Sequence, residues 1–565
     1  MNTSNFKLKD ELTLLEKVLI IFASSAVCFL AGLLLVSTIL FALKIPINIY
    51  NLPVSFILSI IFIVWLSRKV KADFFILLVG ILLMLILFLI SLLISFSVFD
   101  LSYDGQAYHQ EAVILLDRGW NPVYVRLTNQ ATANLERWLN HYPKGNWIIA
   151  ANIYKVTGNI ESAKMMSIFS GFVAFAFVFF GLYRHRISIS LKILLSTLFV
   201  LNPVYIYQSL SFYIDGFLVS FLLALAFISL RIIKQKEEFL FWPFLFVAII
   251  LINIKLSAVI FFAALTSIFF IYLWVIDELR FSISFAKITL VSSLIGVLFL
   301  GFNPFVTNYS TKGHPLYPAM GKDAYNFVEN NTPENYWALK PPVRLLASIF
   351  SKSSLARGKG QFGELKLPIK IYSNELESFR ETNTKIGGFG PLFGLTFILS
   401  IFGFIFYLFT NLTAKKRIIS ILLIFSTLTF AAIIPTSSVA RYVPFVWWIP
   451  CLVVCFLFIN KGILYKIAGS LIAVTLIINS VIVGVSYYPY NLEQSKKLDR
   501  QLYDLSQNIV SPIYINVGQF GSTKIKLSQY EIPFNEVYID EDCKNGRRFL
   551  VGNISRLCEP VIGFP

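Results

Sequence analysis

Between residues 99 and 124 the chain reads Phe-Asp-Leu-Ser-Tyr-Asp-Gly-Gln-Ala-Tyr-His-Gln-Glu-Ala-Val-Ile-Leu-Leu-Asp-Arg-Gly-Trp-Asn-Pro-Val-Tyr, directly after a long apolar run. Asp100, Asp104, His109, Glu111 and Asp117 are thereby gathered where an apolar segment meets water. A carboxylate held at such a boundary is able to act as a general base while staying close to a substrate anchored in lipid. The same side chains would also serve as ordinary solvated loop charges. The rest of the chain has to decide between the two readings.

Single polar groups recur against apolar runs elsewhere. Asp215 follows Tyr213-Ile214 at the start of one run, where a carboxylate either caps a helix or reaches a ligand. Lys255 separates two runs in Ile254-Lys255-Leu256, and a lysine at the edge of a membrane needs a partner or a route to the surface. Arg441 stands in Ser437-Ser438-Val439-Ala440-Arg441-Tyr442-Val443-Pro444, and a guanidinium is suited to bidentate contact with phosphate. His141 and His314 lie in polar loops, in His141-Tyr142-Pro143-Lys144-Gly145 and Lys312-Gly313-His314-Pro315-Leu316-Tyr317-Pro318.

The elements that must position these groups follow from composition. Of 565 residues, 57% are hydrophobic and only 14% charged, well below the roughly 25% usual in soluble domains. Apolar runs of about 20 residues, punctuated by basic clusters, specify an all-α polytopic membrane protein. The runs fall near 18–43, 50–67, 73–99, 164–183, 191–209, 211–232, 239–254, 256–276, 286–302, 391–410, 417–435, 441–459 and 464–486, about thirteen transmembrane helices in all. The first is too long for a cleaved signal peptide and is expected to stay as an anchor.

The basic clusters fall on one side under this count: Arg68-Lys69-Val70-Lys71, Arg184-His185-Arg186, Arg231/Lys234/Lys236, Arg280/Lys287, Lys415-Lys416-Arg417 and Lys461/Lys466. That side is expected to be cytoplasmic, with the N-terminus, in a multi-pass protein of the cell membrane. The net charge of +17 then reflects this asymmetry and contact with anionic lipid, and does not point to nucleic acid. The loops 100–163 and 303–390, the turns at 211–215 and 436–441 and the tail are expected outside. Three parts result: N-terminal helices in 1–72, a membrane module in 73–486 and a small extracytoplasmic α/β appendage in 487–565.

Cys28, Cys451 and Cys455 lie in apolar runs as packing residues, whereas Cys543 and Cys558 in the tail are placed to close a disulfide in an oxidising compartment. The tail opens on a helical stretch, Asn491–Gln507, followed by strand-like segments at 513–517, 536–539 and 549–551. No Cys/His spacing resembles a zinc site.

From 73 to about 460 the pattern resembles the GT-C superfamily of integral-membrane glycosyltransferases. The similarity is to the branch with the protein O-mannosyltransferases and aminoarabinose transferases, which use polyprenyl-phosphate-linked sugar on the exoplasmic face. Tyr103-Asp104-Gly105-Gln106-Ala107-Tyr108 is similar to that family's acidic motif in the first large external loop. The family often has Asp-Glu where this chain has Asp-Gly; Glu111, two helical turns downstream, is the substitute on the same face, with Asp117 on another. The stretch from His141 through Asn152–Gly158 to Glu161-Ser162-Ala163 is similar to the family's His-Pro loop. Leu201-Asn202-Pro203 with Tyr213-Ile214-Asp215-Gly216, Lys255, Arg441-Tyr442 and the Lys312–Pro318 stretch also resemble family motifs.

The resemblance implies that Asp104 acts on an acceptor hydroxyl, on a glycan, lipid or protein. It further implies that the sugar leaves its polyprenyl phosphate with inversion, and that Arg441 and Lys255 bind the donor phosphate. Asp215, His109, His141 and His314 are candidates for acceptor contact or, with the carboxylates, for a divalent metal, whose involvement the sequence leaves open. Two other classes compete. One is an O-antigen-type polymerase or ligase relying on Arg344, Arg357, Arg380 and His314 in the loop 303–390. The other is a lipid or solute transporter, which would place charges at mid-membrane.

Overall fold

The computed structural model describes residues 12–128, 135–182, 187–276, 278–410, 412–460, 462–508, 511–538, 543 and 546–558. The expected basic cluster at 184–186, Lys461 and the end of the expected strand at Ile539 lie outside the described residues. Each apolar run has become helix. Among the described residues nine helices are long and apolar enough to cross a membrane: Leu14–Ala42, Asn51–Lys69, Phe74–Phe96, Ile160–Gly181, Asp215–Gln235, Leu256–Val275, Phe281–Leu300, Ala414–Ile433 and Ile463–Asn508. Four shorter apolar helices, Ile189–Val200, Glu238–Ile252, Phe393–Leu408 and Pro444–Ile459, occupy the remaining runs.

The first helix is the centre of the bundle rather than a peripheral anchor. A capping box starts it, Thr13 accepting from the Glu16 amide while Glu16 accepts from the Thr13 amide. It packs against Asn51–Lys69, Phe74–Phe96, Met166–Gly181 and Phe241–Ile252 and is buried over most of its length. Small residues permit this: Ser25, Ala26, Ala31 and Gly32 let neighbours approach closely. A Cβ at Gly32 would sit 3.2 Å from the Ser55 Cβ. Phe74–Phe96, with mean hydropathy 3.3, instead turns most of its side chains outward, as a lipid-facing helix does.

Two boundaries differ from the sequence expectation. The run at 191–209 is broken after Val200, because Asn202 caps a new turn, Pro203–Ile206, by accepting from the amides of Val204 and Tyr205. At the other end of the chain the helix Ile463–Asn508 runs unbroken for 46 residues with Pro489 inside it. The border drawn at 487 therefore falls inside one helix, which carries the chain out of the bundle and into the appendage.

Basic residues cluster at one end of the bundle. Lys17 donates to the Lys71 carbonyl, Lys192 pairs with Glu16 at 2.9 Å, and Lys236 pairs with Glu278 at 2.9 Å. Asp215 opens the same helix that ends near Lys234, so about 30 Å of helix separates it from that basic end.

The appendage holds a four-stranded sheet of order β2-β1-β4-β3: β1 Ile513–Asn516, β2 Phe534–Glu536, β3 Arg547–Arg548 and β4 Arg556–Cys558. β1 pairs parallel to β2 and antiparallel to β4. The segment 549–551 is not a strand; β3 and β4 flank it. Cys543 and Cys558 are joined by a disulfide. The sheet and the helix Ser522–Gln529 dock on the loop that follows Phe96. Gln106 Nε2 donates to the Gly552 carbonyl at 2.7 Å, and Tyr103 donates to Gln519 Oε1 at 2.8 Å.

Candidate active site

Asp104, Asp215, Lys255 and Arg441, which come from four separate stretches of sequence, line one cavity of about 290 Å³. It lies at the end of the bundle opposite the basic cluster. His109, Lys385 and Arg357 also line it, with an aromatic wall that includes Tyr108, Trp138, Tyr142, Tyr213, Tyr325 and Tyr442. Sugars present C–H faces that pack well on such rings, and hydroxyls that need polar partners.

Each charged side chain is placed by a local break in a helix. Asp215 is the first residue of Asp215–Gln235 and makes no cap bond; the helix's preceding residue, Ile214, has no side-chain cap either. Its carboxylate is instead shared among three donors: Lys255 Nζ at 2.5 Å, Gln208 Nε2 at 3.2 Å and Arg441 Nη1 at 3.5 Å. Lys255 sits in extended backbone between Phe241–Ile252 and Leu256–Val275. That break is pinned by Asn253, whose side chain donates to the Gly296 carbonyl and whose own carbonyl accepts from the Gly145 amide. A Cβ at Gly145 would lie 2.6 Å from the Asn253 oxygen, so the glycine of the His141–Gly145 motif is what lets this loop support Lys255.

Arg441 lies in a 3-10 turn, Ala440–Tyr442, only 7% exposed. It donates to the Tyr442 hydroxyl at 3.1 Å and faces the Tyr442 and Tyr213 rings, while its Nε is buried without a hydrogen-bond partner. An orphaned guanidinium N–H is costly unless a ligand satisfies it. Asn383, also on the cavity wall, leaves its Oδ1 unpaired.

Asp104 differs from Asp215. It is half-buried, lies beside Tyr213 on the cavity wall, and among the described residues takes part in no ion pair. The glycine after it leaves room for Asp100: a Cβ at Gly105 would lie 2.1 Å from Asp100 Oδ2 and 2.2 Å from Ser102 Oγ, so a side chain there would displace the buried Asp100 carboxylate. Asp100, fully buried, accepts from the amides of Ser102 and Phe212. It thus ties the Asp104 loop to the turn that leads into Asp215. Burial and the nearby Glu161 push its carboxyl up to about 6.

Glu111 does not join Asp104. Its carboxylate lies against Gly521 and near Lys524 and Arg118, facing the appendage, where burial pushes its pKa up. The cause is the wide π-turn Gly105–His109. One extra residue in a turn rotates everything beyond it by about 100° relative to a regular helix. Asp117 pairs with Lys155 at 3.1 Å, away from the cavity.

Of the three candidate histidines, His109, His141 and His314, His109 alone lines the cavity. Its Nδ1 accepts from Trp147 Nε1 at 2.7 Å, which leaves the hydrogen on Nε2, and burial lowers its pKa to about 4. His141 is turned to Asn308 at 2.6 Å, a structural clamp on the long loop, and burial lowers it to about 4 as well. His314 accepts from the Leu316 amide within its own turn. Among the described residues no group of three His, Cys, Asp or Glu side chains forms a set able to hold a metal ion, so the imagined ligand set of His109, His141 and His314 is not assembled here.

The long loop contributes Lys385, which no local pattern singled out, and Arg357, expected above only under the polymerase or ligase reading. Lys385 is 2% exposed and donates to Asn331 Oδ1 at 2.6 Å; burial, then Arg441 and Arg357, hold its pKa well below the usual lysine range. Arg357 stands exposed at the mouth. Of the other loop arginines, Arg344 is consumed by the carbonyls of Tyr336, Trp337, Leu339 and Pro435, and Arg380 lies beside Glu377 and Tyr490.

No protein-family model matches this chain, and no curated protein matches it. Two solved structures are similar in fold, both of ArnT from Cupriavidus metallidurans. The one bound to undecaprenyl phosphate shares 11% identity with a TM-score of 0.38, and the apo state shares 12% with a TM-score of 0.39. Each comparison covers 81% of this chain and 86% of the other. At that distance the functional reading rests on the cavity itself.

Proposed function

We propose that this protein is an integral-membrane glycosyltransferase of the GT-C kind. It moves a sugar from a polyprenyl-phosphate-linked donor to an acceptor hydroxyl on the extracytoplasmic face. The observation that carries the reading is one cavity in which Asp104, a carboxylate with no ion pair among the described residues, stands with two cations, Lys255 and Arg441, that share the Asp215 carboxylate. The position of the cavity opposite the basic end of the bundle supports the extracytoplasmic assignment.

In this mechanism Asp104 takes the proton of the acceptor hydroxyl as its oxygen bonds to the anomeric carbon. The bond from that carbon to the phosphate oxygen breaks on the opposite side, which inverts the centre and needs no covalent enzyme intermediate. The phosphodiester donor carries one negative charge and the departing phosphate monoester gains a second. Lys255 and Arg441 meet that charge as it develops, in a site shielded from water, where such stabilisation is strongest. Asp215 holds both cations in place before the donor arrives. Tyr213 orients Asp104, and the aromatic wall receives the sugar.

The polymerase or ligase reading is less well supported, because only Arg357 of its four candidate residues lines the cavity. The deciding experiment is Asp104→Asn. The amide keeps shape and the Tyr213 contact but cannot accept a proton, so transfer should be abolished while undecaprenyl phosphate still binds. Retained turnover would sink the proposal.

A further inference from the structure

We propose that Lys385 and Arg357 form a second anion subsite in this cavity, distinct from Lys255 and Arg441, which takes a second phosphoryl group. The proposal rests on reading the cavity as a polyprenyl-phosphate site and extends that reading.

The two pairs of cations are built differently. Lys255 and Arg441 stand at the ends of bundle helices and share the Asp215 carboxylate. Lys385 and Arg357 come from the long loop, where an antiparallel bridge brings their segments together: the Ser354 amide donates to the Ile386 carbonyl at 3.0 Å and the Lys385 amide to the Ser354 carbonyl at 2.9 Å. Lys385 is buried, and among the described residues its ammonium meets no carboxylate, only the Asn331 side-chain oxygen. A buried cation is strongly unfavourable without a counter-ion.

The cavity lining holds four Lys or Arg side chains against two carboxylates, leaving two positive charges in excess. A phosphodiester donor supplies only one negative charge. The second would come from the additional phosphate of a polyprenyl diphosphate donor or from a phosphate carried by the acceptor. The chemistry recognised is the same in both cases.

The test uses the full-length protein in detergent micelles, with inorganic phosphate, pyrophosphate, undecaprenyl phosphate and undecaprenyl diphosphate as probes. The wild type should bind pyrophosphate roughly ten- to a hundredfold more tightly than phosphate, as added hydrogen bonds to charged groups imply. Lys385→Met and the exposed Arg357→Ala should each erase most of that preference while leaving the Arg441-dependent binding of phosphate in place. A preference unchanged in both variants overturns the second subsite alone. Phosphate and undecaprenyl phosphate binding that ignores Arg441→Ala overturns the underlying functional reading instead.

The source is then separated in one step. If undecaprenyl diphosphate outbinds undecaprenyl phosphate through Lys385, the second phosphate belongs to the donor. If the two lipids bind alike but protein saturated with undecaprenyl phosphate still binds inorganic phosphate through Lys385, the subsite faces the acceptor. Neither form of Lys385 dependence means the proposal is wrong.

Discussion

Asp215 and Lys255, forty positions apart and each at the end of a membrane helix, meet at 2.5 Å inside the cavity. Asp215 is 1% exposed, so its charge is sustained by Lys255, by Arg441 and by Gln208 rather than by water. The pair thus works as a placeholder: it keeps Lys255 and Arg441, the two cations of the proposed phosphate site, positioned and electrically balanced.

Removing the placeholder has a specific consequence. Asp215→Asn removes the carboxylate shared by the half-buried Lys255 and the buried Arg441, and breaking a buried pair costs up to about 3–5 kcal/mol. An anion that binds the folded state should restore part of that loss. Thermal unfolding in detergent should therefore show a lower midpoint for Asp215→Asn and a larger upward shift on adding undecaprenyl phosphate than in the wild type. An equal or smaller shift would remove Asp215 from this role.

Arg441 is expected to carry donor affinity. Arg441→Ala should weaken undecaprenyl phosphate binding by roughly ten- to a hundredfold. Arg441→Lys should recover only part, since an ammonium replaces a planar fork and leaves the Tyr442 hydroxyl contact unmade. Equilibrium binding to the three proteins decides it.

Glu111→Gln should leave turnover within about twofold of wild type, because its carboxylate faces Gly521 and the appendage rather than the reacting groups. An initial-rate comparison with Asp104→Asn provides the contrast. A Glu111→Gln protein as inactive as Asp104→Asn would return Glu111 to the catalytic machinery.

Acid sensitivity should trace in part to His109. Its pKa falls from the ordinary 6.5 to about 4 on burial. A folded value below the unfolded one means that its contribution is complete above about 6.5 and is lost as pH falls toward 4. The loss is about 1.4 kcal/mol per pH unit at most. His109→Phe removes this titration, so the stability difference between wild type and variant should shift against the wild type across that window. A pH-independent difference would contradict it.

Much of the architecture was legible in the amino-acid order. A membrane leaves a backbone few choices, so each apolar run became helix. Helix interruptions are local signals too: Asn202-Pro203, the lone Lys255 and the Arg441 turn each mark a place where a polar group leaves the bundle. Asp104, Asp215, Lys255 and Arg441 are therefore each legible one by one in the sequence, and all four line one cavity. Their partnership was not legible, because Asp215 and Arg441 are brought within 3.5 Å only by the packing of separate helices.

Other residues had no local signature. Lys385 lies in a loop without periodicity, and the Ser354–Ile386 bridge brings its segment to that of Arg357, which the sequence offered only for the polymerase or ligase reading. Asp100 reads as one more loop carboxylate until the Phe212 amide is found on it. Glu111 falls on a face away from Asp104 because a π-turn stands where the sequence pattern implies a regular helix. The amino-acid order by itself determined which segments form apolar helices and which polar groups stand at their ends, since both follow from the local cost of exposing backbone and charge to an apolar surrounding. Which of those groups face one another, and which loop closes over them, was decided only by the tertiary structure. Those contacts join residues tens to hundreds of positions apart, and no local preference encodes them.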